Sequence, residues 1–311
     1  MATLADTYND PVYIGVIGGT GLSDLPNFTK VASLNITTPW GEPSSPITIL
    51  HHTCSTSGKA VPVAFLSRHG VHHEYAPHEV NSRANIAALR SIGVRSIVAF
   101  SAVGSLQEDI KPRDFVVPTQ VIDRTKGIRP FTFFEGGVVS HVGFADPFDE
   151  GMAKIVRRCG HTLEGEGVVL HDQGLLICME GPQFSTRAES NLYRSWGGSV
   201  INMSCLPESK LAREAEIAYQ MICMSTDYDC WYSESEDVTV EMVMANMKAN
   251  SVNARHFIGA VLDELTKDEH EDLIKGRHLE GSAKFGLSTA PAGLRPEAVE
   301  KLTFLFPQFF N

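Results

Sequence analysis

The chain has 311 residues, 43% of them hydrophobic, enough to bury a substantial core in one large or two modest domains. Its 37 acidic residues against 26 Lys and Arg leave a formal net charge of -11, which argues against nucleic acid or an anionic membrane as the main partner, since both select for clustered cations. The polar start MATLADTYND lacks the basic and apolar regions of a secretory signal, no apolar run approaches the ~20 residues that span a bilayer, and the six cysteines form no C-x-x-C pair, so reduced thiols and a cytoplasmic or nuclear location are expected.

Short apolar runs rich in Val and Ile, bounded by Gly, Pro or Asp, predict core strands at 13–19, 60–67, 94–103, 114–122, 174–180, 199–204 and 216–225. Between them, VNSRANIAALRSIG repeats apolar residues at helical spacing and stops at Gly93, and STRAESNLYRSWGG carries a capping-box pattern from Thr186 to Glu189 before closing on Gly197 and Gly198. The longest helical pattern runs from 238 to 265, with Val240, Val243, Met244 and Met247 on one stripe. Strands alternating with helices imply an α/β fold with a largely buried sheet. No composition shift divides 12–265, which is taken as one domain; 266–288 reads as a loose polar excursion, and 289–311 as a terminal helix with an apolar plug belonging to the same domain.

Four stretches hold residues suited to chemistry. In IGVIGGTGLSD a strand runs into Gly18, Gly19, Thr20 and Gly21, a turn whose backbone N–H groups and Thr20 hydroxyl suit an anion, or which is simply tight. It is no dinucleotide fingerprint, because Asp24 stands where the last glycine belongs, and no Lys makes it a P-loop. In FLSRHGVHHEYAPHE, Arg68 at a strand end suits an oxyanion, while His69, His72, His73 and His78 lack zinc-site spacing and are interrupted by Pro77. AFSAVGS leaves the core at Ser101 and Ala102 with small residues that present hydroxyl and N–H groups at a strand terminus. In STDYDCW, Asp227 and Asp229 lie two residues apart and so face one side of a strand; burial there raises a carboxyl pKa, whereas a bland alternative is an exposed acidic turn.

Taken together, VIGGTGL, SRHG, FSAVGSL, EGPQFSTRAES, INMSCLPESKLAREA and STDYDCW closely resemble, in the same order, motifs of the nucleoside phosphorylase family, in its methylthioadenosine phosphorylase branch. The resemblance runs from about Tyr13 to Leu265. It implies a single α/β domain with a central mixed β-sheet flanked by helices, and phosphate held by Thr20, Arg68, His69, Ser101, Ala102 and Ser204, where the branch commonly has Thr in place of Ser204. It further implies Met203 under the ribose and base, and Asn202, Phe184 and Ser185 in the purine pocket with Asp227, Tyr228 and Asp229. Ser185, Val240, Val243 and Met244 would meet the methylthio group, with His141 contributed across a subunit boundary of a homotrimer. Inorganic phosphate is then a co-substrate, the partner is a small-molecule nucleoside, and no metal or organic cofactor is implied. Departure of a purine from ribose is assisted by a proton on N7, for which Asp227 is the first choice, and a carboxylate such as Asp229 accepts from the 6-amino group of adenine, although the division of labour between the two stays open. An inosine and guanosine phosphorylase is the alternative; that branch typically carries an Asn at the base-reading place. The segment 294–310 loosely resembles the family's final helix, which lids the active site.

Overall fold

The structure, a computed structural model, describes residues 4–19, 25, 28–55, 57–232 and 240–308, without the side chains of Val240 and Met242. The strands are β1 (Ile14–Gly18), β2 (Thr29–Leu34), β3 (Ile47–Thr53), β4 (Ala60–Ser67), β5 (Ser96–Ser105), β6 (Phe115–Val116), β7 (Gln120–Arg124), β8 (Leu170–His171), β9 (Leu175–Met179), β10 (Val200–Asn202) and β11 (Ala218–Tyr228). The helices are α1 (Ser82–Ser91), α2 (Glu150–Arg158), α3 (Arg187–Ser195), α4 (Cys205–Glu214), α5 (Val240–Leu265), the single turns α6 (Glu271–Ile274) and α7 (Ser282–Phe285), and α8 (Pro296–Thr303).

The eleven strands of the described residues join one mixed sheet in the order β2-β3-β4-β1-β5-β10-β9-β7, with β11 on the other edge of β5 and leading through β6 to β8. The sheet is covered on both faces, which explains why its central strands read as continuous apolar runs. Along β5 the side chains alternate between two cores: Ile97 and Ala99 pack with α1 and α4, Val98 and Phe100 with α2 and α5. No helix among the described residues is long and apolar enough to cross a membrane.

Several elements depart from the sequence expectations for local reasons. The run 114–122 is two strands, because Pro118 cannot donate to a ladder and the chain turns there between β6 and β7. β2 and β3 pair antiparallel at the sheet edge and carry exposed positions, so their apolar content is too dilute to stand out. The amphipathic α2 was also not foreseen. In α4, Leu206 is extended (φ -111°, ψ 135°), as a residue before proline prefers, and regular helix starts at Pro207. The capping box of α3 is formed, with the Thr186 side chain and the Glu189 carboxylate each bonding the other's backbone N–H. The polar segment after α5 is not loose: it folds into short turns that bury Leu279 and Ala283, the latter donating its N–H to Glu216 at 3.1 Å. Beyond it, Leu302, Leu305 and Phe306 pack into the same core as Trp40, Phe133 and Phe134.

β5 changes partners along its length. On one edge Ser96–Ala99 pair with β1 in parallel and Gly104–Ser105 pair with β10 antiparallel, leaving residues 100–103 with no strand beside them among the described residues. On the other edge β11 follows β5 throughout, with an extra residue, Thr226, between the Ser225 and Asp227 pairings.

Candidate active site

That interruption opens at the carboxyl ends of β1, β5 and β11, where open α/β sheets place their ligands. A cavity of about 530 Å3 lies there. Within a strand, the N–H and C=O of one residue point the same way and alternate from residue to residue. The Phe100 carbonyl points into the interruption, where it accepts from Arg68 at 2.8 Å, so the Ala102 N–H points there too. Ser101 hydrogen-bonds Ser204 at 2.9 Å, hydroxyl to hydroxyl, and the Asn202 amide donates to Ser101 at 3.0 Å and to Ser204 at 3.4 Å.

Arg68 follows directly on β4 and is 1% exposed. Its guanidinium reaches the cavity because residue 19 is glycine: a Cβ there would stand 2.6 Å from Nη1 and 2.7 Å from the Phe100 oxygen. Glu208 meets the guanidinium with both oxygens, each at 2.7 Å, and this pairing keeps Arg68 protonated at any accessible pH despite its burial. The adjacent His69 hydrogen-bonds the Tyr75 carbonyl through Nδ1 at 2.9 Å. Burial, and then the charge of Arg68, lower its pKa to about 4, so the ring is neutral near pH 7 and offers Nε2 as an acceptor. Thr20 lies outside the described residues.

At the other end of the cavity stand the carboxylates. Asp227 and Asp229 are each 4% exposed, and both line it. Gly104 is what lets them approach: a Cβ on it would lie 3.1 Å from Asp227 Oδ1 and 3.4 Å from Asp229 Cβ. Burial pushes the Asp227 carboxyl up to about 6, opposed by the Thr226 hydroxyl that donates to Oδ2 at 2.7 Å and reinforced by Asp229. Asp229 is raised as well, first by burial, with the Ser190 and Ser185 hydroxyls among the groups opposing the rise. Its Oδ2 is buried and has no hydrogen-bond partner among the described residues.

Phe184, Ser185, Met203 and Val243 line the cavity, joined by Met179 and Met247, which the sequence reading did not assign to it. Four candidates stand elsewhere or in another role. Tyr228 turns away from the cavity, because it alternates with the two aspartates, and donates its hydroxyl to Glu108 at 3.2 Å on the far side. Asn202 lines the cavity, but its amide is taken up by the two serine hydroxyls and its oxygen by Cys205 N–H at 3.5 Å, so it supports the anion end rather than a base. Met244 is 55% exposed and off the cavity wall, on a helix position beside Val243 that faces outward. His141 lies in a separate surface depression with Phe131, Lys210 and Arg213, and the side chain of Val240 is not described. No described residue of 289–308 lines the cavity, so α8 is no lid over the site of its own chain.

Sequence reasoning also missed the support beneath the floor. Arg129, 6% exposed, pairs with Glu180 and donates to the carbonyls of Met203 at 2.7 Å and Leu206 at 2.8 Å, tying the segment after β9 to the segment after β10. Only an arginine in a Gly/Pro-bounded loop hinted at it. Gly181 (φ 70°) lets Met203 lie against that clamp, since a Cβ there would stand 2.3 Å from the Met203 sulfur.

A larger depression of about 960 Å3 lies between α2, β7 and the turns at 268–279, but none of the candidate residues line it. Among the described residues one trio, Glu264, Glu269 and His270, has ligand atoms close enough to share a metal ion; none of the three lines the active-site cavity.

A family profile described as the phosphorylase superfamily matches residues 13–263. An S-methyl-5'-thioadenosine phosphorylase of Ajellomyces capsulatus is 82% identical over 100% of this chain and 99% of its own length, and one of Neurospora crassa is 64% identical over 100% and 99%. Among solved structures, a methylthioadenosine phosphorylase from an Antarctic soil metagenomic library superposes with a TM-score of 0.84 at 39% identity, covering 96% of this chain and 99% of that one. The Schistosoma mansoni methylthioadenosine phosphorylase in complex with adenine gives 0.79 at 34% identity, covering 90% and 100%.

Proposed function

The chain belongs to the phosphorylase superfamily, and on that premise we propose that it catalyses the reversible phosphorolysis of S-methyl-5'-thioadenosine, a pentosyl transfer to inorganic phosphate that yields adenine and 5-methylthioribose 1-phosphate. The observation that carries this reading is a cavity with a buried arginine and paired hydroxyls at one end and, at the other, two buried carboxyls whose pKa values burial raises.

Phosphate binds at the interruption in the β5 edge, against the Arg68 N–H groups, the Ser101 and Ser204 hydroxyls and the Ala102 N–H, with Nε2 of His69 accepting from an oxygen that carries a proton. Nucleoside lies across Met203 with its base toward Asp227 and Asp229. As the C1'–N9 bond breaks, its electron pair passes into the purine and Asp227 delivers its proton to N7, while a phosphate oxygen forms the new bond to C1'. Asp229, which lines the cavity, accepts from the exocyclic 6-amino group. A 6-oxopurine presents a carbonyl at that point, which disfavours inosine and guanosine. The methylthio group meets Val243 and Met247.

The proposal includes inorganic phosphate as the only auxiliary molecule, no nucleic acid or membrane partner, a cytoplasmic or nuclear location serving purine and methionine salvage, and a homotrimer. In support of the last, His141 is exposed on a segment that also exposes Phe131 and Val139, at 54% and 45%. Mass measurement in solution tests the assembly. For the activity, purified protein is given methylthioadenosine with and without phosphate; adenine is expected only with phosphate, and its release without phosphate would identify a hydrolase instead.

A further inference from the structure

Two buried side chains that do not line the cavity stand behind Arg68 at its anion end. Glu208, on α4, is 0% exposed, and its carboxylate takes both Nε and Nη2 of Arg68 at 2.7 Å. Tyr219, on β11 and 3% exposed, donates its hydroxyl to Glu208 Oε1 at 2.7 Å. The Phe100 carbonyl takes Nη1 at 2.8 Å. A guanidinium has five N–H groups in one plane; these contacts fix that plane and leave two, one on each terminal nitrogen.

From this geometry we infer that Glu208, itself held by Tyr219, is a positioning residue for phosphate, acting through Arg68. The inference rests on the reading of the cavity as a phosphate and nucleoside site. Two effects of the carboxylate oppose each other. It neutralises the arginine and so weakens the field that attracts an anion; it also fixes the two remaining N–H groups at one place and angle. The second effect prevails, because an arginine grips phosphate through paired, directional bonds, and an unanchored side chain gives up rotamer freedom on each binding event. The pair is not a stability device first: a buried ion pair is often no better than packed apolar groups, which leaves specificity of orientation as its benefit.

The test measures initial rates with phosphate and methylthioadenosine varied independently in Glu208→Gln and Tyr219→Phe. The amide introduced by Glu208→Gln turns one donor toward a donor, so the KM for phosphate is expected to rise roughly 10-fold or more, while the KM for the nucleoside moves less than about 3-fold. Tyr219→Phe removes one hydroxyl and keeps the ring, so it folds with the wild-type core and is expected to raise the phosphate KM by roughly 3-fold. A lower or unchanged phosphate KM in either folded variant overturns the inference: lower values mean that neutralisation prevails, and equal rises for both substrates mean general loosening. Should Glu208→Gln fail to fold, Tyr219→Phe decides alone. Wild-type protein that releases adenine without phosphate sinks the functional reading itself, whatever the variants do.

Discussion

Replacing Asp227 by Asn is expected to make the protein more stable and nearly inactive. Burial raises the Asp227 pKa from 3.8 to about 6, so the folded state holds this proton more tightly than the unfolded chain does. Below the unfolded pKa the group is protonated in both states and costs nothing. As pH climbs between the two values the folded state must either keep the proton or bury a charge, and above about 6 the full cost is present. A shift of about 2 units corresponds to roughly 3 kcal/mol. Asn carries no charge at any pH and its oxygen can still accept from Thr226. Ligand-free Asp227→Asn should therefore exceed wild type by up to ~3 kcal/mol at pH 7.5, a Tm gain of roughly 5 °C, and the gain should vanish near pH 4. Groups common to both proteins cancel in that difference, including His69, whose lowered pKa makes stability fall on acidification in each. Turnover with methylthioadenosine and phosphate should drop about 10²- to 10⁴-fold, with little change in nucleoside binding. Thermal melts at four or five pH values, with activity at pH 7.5, make the assay. A Tm that is equal or lower at pH 7.5, or a gain that does not depend on pH, would refute the reasoning.

Gly104→Ala places a methyl 3.1 Å from Asp227 Oδ1 and 3.2 Å from Ile201, so the carboxyl must shift; kcat/KM for methylthioadenosine should fall roughly 10- to 100-fold with the phosphate KM nearly unchanged, as measured by steady-state kinetics. Asp229→Asn turns an acceptor into a group that can also donate, and the ratio of kcat/KM for methylthioadenosine to that for inosine should fall by at least roughly 10²-fold; an unchanged ratio would remove Asp229 from base recognition.

Much of this fold is legible along the chain because the central strands are buried on both faces and carry their signal in consecutive residues. The edge strand β2 and its neighbour β3 are not, since about half their positions are not buried. Period-two alternation put Asp227 and Asp229 on one side, and the same alternation turns Tyr228, which the family resemblance had placed in the purine pocket, away from the cavity. The extra residue at Thr226 and the absence of a side chain at Gly104 complete that placement, and neither has a periodic signature. Glu208 lies 140 positions from Arg68 and Glu180 lies 51 from Arg129, and no local pattern pairs charges across such distances. The segments of Arg68, Glu180 and Glu208 were visible as motifs and that of Arg129 was not, but what each side chain does depends on the sheet that brings it to its partner.

The interrupted edge of β5 has one more consequence. Unpaired strand edges normally recruit other strands, and proteins spend charges, prolines and bulges to prevent it. Among the described residues, this edge of β5 stands open at 100–103, with β1 closing the ladder on one side and β10 on the other. A stretch that short, walled at both ends, cannot seat a foreign strand, so it can stay open without inviting aggregation. What it admits must be small, rich in acceptors and able to meet a backbone N–H head-on, and an oxyanion is such a guest where a peptide is not.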